Sequence, residues 1–156
     1  MKAAVFSDTH RNTRFMMEAI ARCKPDMVIH LGDHDSDAEE VRRKFPEIPL
    51  FSVCGNCDFM ATAPETDIVP MGPVKAFITH GHLYNVKYIG PDRLAYAAME
   101  NGCKIAMFGH THIPMSHKVG DVIVINPGTA GKGSVFSWAL VEVLDDGTIR
   151  CNITEL

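Results

Sequence analysis

Five short polar clusters carry most of the chemistry open to this 156-residue chain: Asp8-Thr9-His10, Gly32-Asp33, Gly55-Asn56-Cys57-Asp58, His80-Gly81-His82 and Gly109-His110-Thr111-His112. Each closes an apolar run, and six of the eight histidines lie in or beside them. Imidazole and carboxylate are the donor set for Zn²⁺, Mn²⁺, Fe and related divalent ions. The inventory of Asp8, His10, Asp33, Asn56, His80, His110 and His112 is larger than one four-coordinate ion needs. A carboxylate such as Asp33 can bridge two ions and leave three further protein ligands for each. Two metals about 3.5–4 Å apart can generate a hydroxide nucleophile and clamp a phosphoryl group for in-line attack. Taken singly, each cluster has a plainer reading. Asp and Thr cap helices, Gly-Asn-Cys-Asp makes a turn, and a lone histidine is more often structural. Recurrence at five run ends favours the metal.

The elements that must position these clusters alternate along the chain. Apolar runs at Lys2–Phe6, Asp26–Leu31 and Leu50–Cys54 read as strands. Between them, Met16, Met17, Ile20 and Cys23 recur at helical spacing behind Asn12 or Thr13 and ahead of Pro25, and Ser36–Phe45 is a charged helix closed by Pro46. The order β-α-β-α-β with right-handed crossovers makes these strands parallel neighbours. Val74–Thr79 and Lys104–Phe108 are further strands, with a helix over Pro91–Asn101 between them. The final third, from Met115, is β-rich: Met115–Val119, Asp121–Ile125, Ser134–Leu144 and Thr148–Thr154. The expected fold class is α/β (α+β): a two-layer β-sandwich, a helix-covered mixed sheet facing a largely antiparallel one, with helices outside. If the strands share a sheet, their C-terminal ends line one edge, where open α/β sheets place ligands. Side chains two apart on an extended segment point the same way, so Asp8 with His10, or His110 with His112, can reach one point.

Composition narrows the class. The length reads as one domain, residues 1–156. Hydrophobic residues at 46% and charged residues at 22% are ordinary globular usage. A formal charge of -4 argues against the general basic field of a nucleic-acid binder, so nucleic acid is not expected as a stable partner. No apolar run reaches the roughly 18 residues of a membrane span, and MKAAVFSD reaches a polar motif too soon for a signal peptide. Five cysteines with no secretory signal read as reduced thiols, which points to the cytoplasm. Cys54 and Cys57 form a single C-x-x-C, half of a structural zinc site.

The ordered series D-x-H, G-D, G-N-x-D, H-G-H and G-H-x-H resembles the calcineurin-like metallophosphoesterases, most closely their small single-domain branch, whose members act on phosphodiesters in vitro. The resemblance spans Asp8 to His112. Carried over by position, it implies one metal site from Asp8, His10, Asp33 and His112 and a second from Asp33, Asn56, His80 and His110. Asn56 and His80 take catalytic roles, positioning phosphate oxygens. The implied cofactors are two divalent ions, Mn²⁺ first, with Zn²⁺, Fe or Ni²⁺ as alternatives. The implied function is hydrolysis of a small phosphodiester, with no membrane partner and a homodimer or homotetramer as candidate assemblies. The alternative is a non-catalytic interaction scaffold on the same fold, like the related retromer subunit. A third reading is a structural metal protein. Asn126-Pro127-Gly128-Thr129 is similar to an Asn-Pro-Gly segment common in this branch near the active-site edge, or else a plain turn.

Two positions depart from the pattern. Larger relatives carry His where this chain has Cys57, a substitution the small branch shares. A thiol is a poorer acid partner than imidazole near neutrality, so Cys57 is either a metal-proximal thiolate or a buried filler. The frequent G-D-x-x-D is replaced by Gly32-Asp33 followed by Asp35 and Asp37. His82 is open between a supporting role, substrate contact and a surface position. His34 starts a loop, Arg11 is a phosphate contact or a solvated loop residue, and His30 and His117 are structural.

Overall fold

In β1 (Lys2–Phe6), side chains alternate between two apolar environments. Ala3 and Val5 join the core between two sheets, while Ala4 and Phe6 join the core beneath the helices. A strand buried on both faces belongs in the middle of a layered fold. The computed structural model describes residues 1–155, and Leu156, the last residue of the expected span, lies outside them. One sheet has the order β10-β9-β1-β2-β3. Its strands β2 (Met27–His30) and β3 (Leu50–Ser52) run parallel to β1, and β9 (Ser137–Val143) and β10 (Ile149–Glu155) run antiparallel. The crossovers are α1 (Arg14–Cys23) and α2 (Asp35–Lys44). Helix α1 buries Phe15, Met16, Met17, Ala19 and Ile20 against this sheet, where Phe6 stacks on Trp138 at 5.5 Å. It ends as expected: Lys24 adopts the left-handed conformation ahead of Pro25, its N–H bonding Ile20 O. Thr13 sits at the N-cap position, but its hydroxyl donates to Glu40 instead of capping.

The second sheet has the order β4-β5-β6-β8-β7. Strands β5 (Val74–Thr79), β6 (Ile105–Met107) and β8 (Val122–Asn126) form its parallel centre, and β4 (Thr66–Met71) and β7 (Met115–Val119) are antiparallel edges. This corrects the expectation of a largely antiparallel second layer. The β-rich final third does not make a sheet of its own: β7 and β8 join this sheet, β9 and β10 the other. Helix α4 (Asp92–Glu100) covers its outer face with Leu94, Ala95 and Ala98. Between the sheets, Val5, Ile29, Leu31, Ile78, Met107 and Ile125 are fully buried, each contributing about 1.5–3 kcal/mol of transfer free energy.

Two pieces have weak sequence signals. In β4 only Val69 and Met71 are buried and Pro70 interrupts the pattern, which an edge strand tolerates. After His80, a 3-10 turn (His82–Tyr84) and α3 (Val86–Ile89) are too short for periodicity to register. Among the described residues no helix is long and apolar enough to cross a membrane.

Candidate metal centre

Strands β1, β2 and β3 of one sheet and β5 and β6 of the other all release their ligand loops at the same end of the sandwich. The expected single edge is thus a seam between two sheets. One donor atom from each of Asp8, His10, Asp33 and His112 lies within 4.8 Å of the others. His112 Nε2 is 3.0 Å from Asp8 Oδ1, yet Asp8 Oδ1 is buried without a hydrogen-bond partner. His10 Nε2, 3.6 Å from Asp33 Oδ2, is likewise buried and unpartnered. Buried polar atoms are nearly always satisfied. Here two orphaned donors to metal fall in one four-residue cluster, and the residues fit a divalent ion.

The other oxygen of Asp33 faces a second group. His80 Nε2 lies 3.4 Å from Asp33 Oδ1 and 3.2 Å from Asn56 Oδ1, and the His110 ring packs edge-on against His80 at 5.0 Å. His80 Nδ1–H donates to Leu31 O at 2.7 Å, which leaves Nε2 as a lone pair aimed at two oxygens. A backbone carbonyl fixing the imidazole tautomer is the usual support for a metal-binding histidine. The structure therefore brings all seven candidate ligands into two adjoining groups that share Asp33.

The loops are held by groups outside the ligand set. Asp58 accepts from the N–H groups of His34 (2.6 Å), Asp35 (2.9 Å) and Gly55 (2.7 Å), tying the Asp33 loop to the Asn56 loop. Asp33 Oδ1 also accepts from Cys57 N at 3.0 Å. Asp37, set aside from sequence, accepts from Arg11 N at 2.8 Å and anchors the β1 loop. Asp8 Oδ2 accepts from Ser7 Oγ (2.6 Å) and His110 N (3.0 Å). Gly109 permits that approach, because a Cβ there would sit 1.8 Å from Ser7 Oγ. The fully buried Asn126 donates to Gly109 O (2.8 Å) and Thr111 Oγ1 (3.0 Å), so the Asn-Pro-Gly segment braces the His110–His112 loop. Asn126 and Asp58 had a signal in the quoted motifs, whereas Asp37 had only its nearness to Asp33.

Electrostatics set the ligands in their binding forms. Burial pushes the Asp8 carboxyl up, but the His112 and His80 rings and the Ser7 hydroxyl outweigh it and hold it below its ordinary value. Burial lowers His10, against the pull of Asp33. His110 is lowered to about 4 by burial, His80 and Lys87. Neutral imidazole and ionised carboxylate are the forms that bind metal. Burial and the Asp33 carboxylate push the Cys57 thiol up from its ordinary value.

Of the remaining histidines, His82 is drawn to the site, its ring 5.5 Å from His80 and 6.2 Å from His110, with Nδ1 buried and unpartnered. The His34 ring meets His10 at 5.3 Å, while its backbone starts α2. His30 is structural: Nδ1 accepts from Gly32 N, and Nε2–H donates to Thr9 Oγ1 at 3.1 Å. His117 lies exposed on β7, and Arg11 is exposed.

A two-sheet sandwich that gathers Asp, Asn and His donors into two adjoining groups at one end makes a centre suited to divalent metal ions and hydrolytic chemistry. Comparison with known proteins agrees. The calcineurin-like phosphoesterase superfamily domain matches residues 1–146, and the chain belongs to that superfamily. "Probable metallophosphoesterase YsnB" of Bacillus subtilis is 31% identical over 133 residues, covering 83% of this chain and 75% of that protein. "Phosphodiesterase MJ0936" of Methanocaldococcus jannaschii is 31% identical over 147 residues, covering 82% and 83%. Among solved structures, Vps29 of Entamoeba histolytica in complex with zinc superposes with a TM-score of 0.78 over 99% of both chains at 22% identity, a likeness of fold.

Proposed function

We propose that this metallophosphoesterase is a phosphodiesterase with a binuclear metal centre, acting on a small phosphodiester in the cytoplasm. The observation that carries the reading is the division of Asp33: Oδ2 faces His10 Nε2 at 3.6 Å, and Oδ1 faces His80 Nε2 at 3.4 Å. One carboxylate with an oxygen toward each donor group is what a bridge between two ions requires. Asp8, His10, Asp33 and His112 would hold one ion, and Asp33, Asn56, His80 and His110 would hold the other. Bound divalent ions, Mn²⁺ first among them, supply an activated water and charge to stabilise the phosphoryl oxygens.

The chain's own residues do the rest. Leu31 O fixes the His80 tautomer, Asp58 holds Asn56 and Asp33 in register, and the Asn56 amide orients a phosphate oxygen. Cys57 provides no imidazole for the leaving group. Five free cysteines fit a reducing compartment. Assembly into a homodimer or homotetramer belongs to the same proposal. The interaction-scaffold alternative is weaker, because every ligand position is filled and the donors converge. Metal analysis of purified protein with a phosphoester panel tests the reading. Chelator-sensitive turnover of bis(p-nitrophenyl) phosphate is expected; turnover indifferent to chelation, or none with metal bound, overturns it.

A further inference from the structure

Three polar side-chain atoms among the described residues are buried without a hydrogen-bond partner: Asp8 Oδ1, His10 Nε2 and His82 Nδ1. The first two belong to the ligand set. The third belongs to neither donor group, yet the His82 ring stands 5.5 Å from that of His80 and 6.2 Å from that of His110, both in the second group. Thr129, Asn126 and Asp37 also brace the centre without holding metal, and they are partnered. Thr129 Oγ1 donates to Asp8 O at 2.9 Å, Asn126 Nδ2 donates to Gly109 O at 2.8 Å, and Asp37 Oδ2 accepts from Arg11 N at 2.8 Å. The backbone brings the His82 ring to its place. Gly81 takes a φ of 103° directly after His80, and a Cβ on it would meet Val86 Cγ2 at 3.0 Å. Gly81 O accepts from Tyr84 N and His82 O from Asn85 N, both at 3.1 Å, which sets His82 as the first residue of the 3-10 turn. Buried Val86 and the Tyr84 ring, edge-on to Phe77 at 6.1 Å, pin that turn to the core beneath α4.

The two nitrogens of this ring have different surroundings. Nδ1 is closed to solvent, whereas Nε2 makes no hydrogen bond among the described residues and is not one of the buried orphans, so solvent reaches it. A neutral imidazole carries one N–H. A buried donor left unpaired is rarer than a buried acceptor, so the proton sits on Nε2. The ring thus holds an open N–H donor beside His80 and His110. A protonated ring nitrogen has no lone pair for a metal ion, and Asp33, Asn56, His80 and His110 already supply the second group. What this N–H lacks is an acceptor, and a phosphate ester bound at the centre brings one.

We propose that His82 is a substrate-binding residue of this centre, its Nε2–H donating to a non-bridging oxygen of a phosphate ester held beside His80 and His110. The proposal rests on the phosphoesterase reading and adds to it a recognition element outside both donor groups. The test uses Mn²⁺-loaded protein, inorganic phosphate as the probe, and two variants. His82→Phe keeps a ring and loses the donor, whereas His82→Gln keeps an N–H and loses the ring. Calorimetry is expected to show His82→Phe weakening phosphate about tenfold, as loss of a hydrogen bond to a charged group does, and His82→Gln retaining it within about threefold. KM for bis(p-nitrophenyl) phosphate should rise in His82→Phe with the loss of phosphate affinity while kcat changes less than about threefold, the signature of uniform binding. Mn²⁺ affinity should be unchanged, and metal-free His82→Phe should melt no lower than the parent, because the unpartnered buried nitrogen is gone. Parental phosphate affinity in His82→Phe overturns the proposal alone. So does an equal loss in both variants, which would assign the effect to ring packing, and so does a fall in Mn²⁺ affinity, which would make the ring a metal ligand or a prop for His80 and His110. Failure of the parent Mn²⁺-loaded protein to bind phosphate or turn over any ester overturns the phosphoesterase reading as well.

Discussion

At the hairpin end of the sandwich, the chain turns from β7 to β8 through Gly120 and from β9 to β10 through Gly147, with φ of 57° and 84°. At the opposite end, φ is also positive, between 46° and 64°, but at Asp8, His10, Asp33, His110 and His112. Seven of the ten positive-φ residues other than glycine lie in the ligand loops, counting Arg11 and His34. The left-handed conformation costs an ordinary residue roughly 1–2 kcal/mol, and glycine nothing of the kind. Where only a reversal of direction is needed, the sequence uses glycine. Where a donor atom must be aimed, the side chain is kept and the strain borne by the packed centre, in which Val5, Ile29, Ile78 and Ile125 are fully buried.

The largest break in this contrast comes from removing the shared donor. Asp33→Asn leaves two cations facing each other with less negative charge between them. Activity should fall by more than the ~10–100-fold typical of a supporting partner, and bound metal should drop while circular dichroism stays native. An Asp33→Asn protein with parental activity would refute the bridge.

A second effect sharpens what the strained end lacks. Without imidazole at position 57, poor leaving groups go unprotonated, a contribution of typically 10²–10⁴-fold. Nitrophenyl diesters should outpace alkyl diesters by a wide margin, and Cys57→His should narrow the gap if the new ring reaches the leaving oxygen. Equal rates on both esters in the parent protein would remove the argument.

Acid should weaken the site end before metal is added. His30, fully buried beneath the Asp8 and Asp33 loops, is lowered to about 4 by burial. Between pH 6.5 and about 4 the unfolded chain takes up a proton that the native chain refuses. Stability is thus fully present above pH 6.5 and declines as pH falls, by about 3 kcal/mol from this group. Denaturation of metal-free protein at pH 7 and pH 4.5 should show the decline, and His30→Gln should flatten part of it. A pH-independent midpoint would contradict the burial of neutral His30.

The smallest effect separates the two ends directly. Arg11→Gly relieves a φ of 68° at an exposed side chain in a ligand loop, so metal-free protein should be stabilised by up to about 1 kcal/mol. Gly147→Ala, at φ 84°, should be destabilised by about as much and leave metal binding alone. Thermal melts of both variants with and without Mn²⁺ make the comparison. Loss of stability in metal-free Arg11→Gly would show that this position carries no strain.

The contrast also explains what could be read from residue order. Strands such as Lys2–Phe6 and Val74–Thr79 were set by their apolar runs alone, and the seven donors by their place at run ends. Strand β4 was hidden because an edge position lets Pro70 and exposed polar residues interrupt the alternation. The partition of β7 to β10 between two sheets was hidden because hydrophobic period fixes a strand but not its neighbour. Asp58, Asp37 and Thr129 act through backbone groups distant in sequence, and only the folded chain shows those pairings.

The account's central claim is that the strained end converges its donors on two ions sharing Asp33. Calorimetric titration of the metal-free chain with Mn²⁺, followed by electron paramagnetic resonance of the loaded protein, tests it most directly. Two ions per chain with a spin-coupled signal are expected, both sites weakened together in Asp33→Asn. One ion per chain, or two uncoupled ions of which Asp33→Asn loses only one, would contradict the claim.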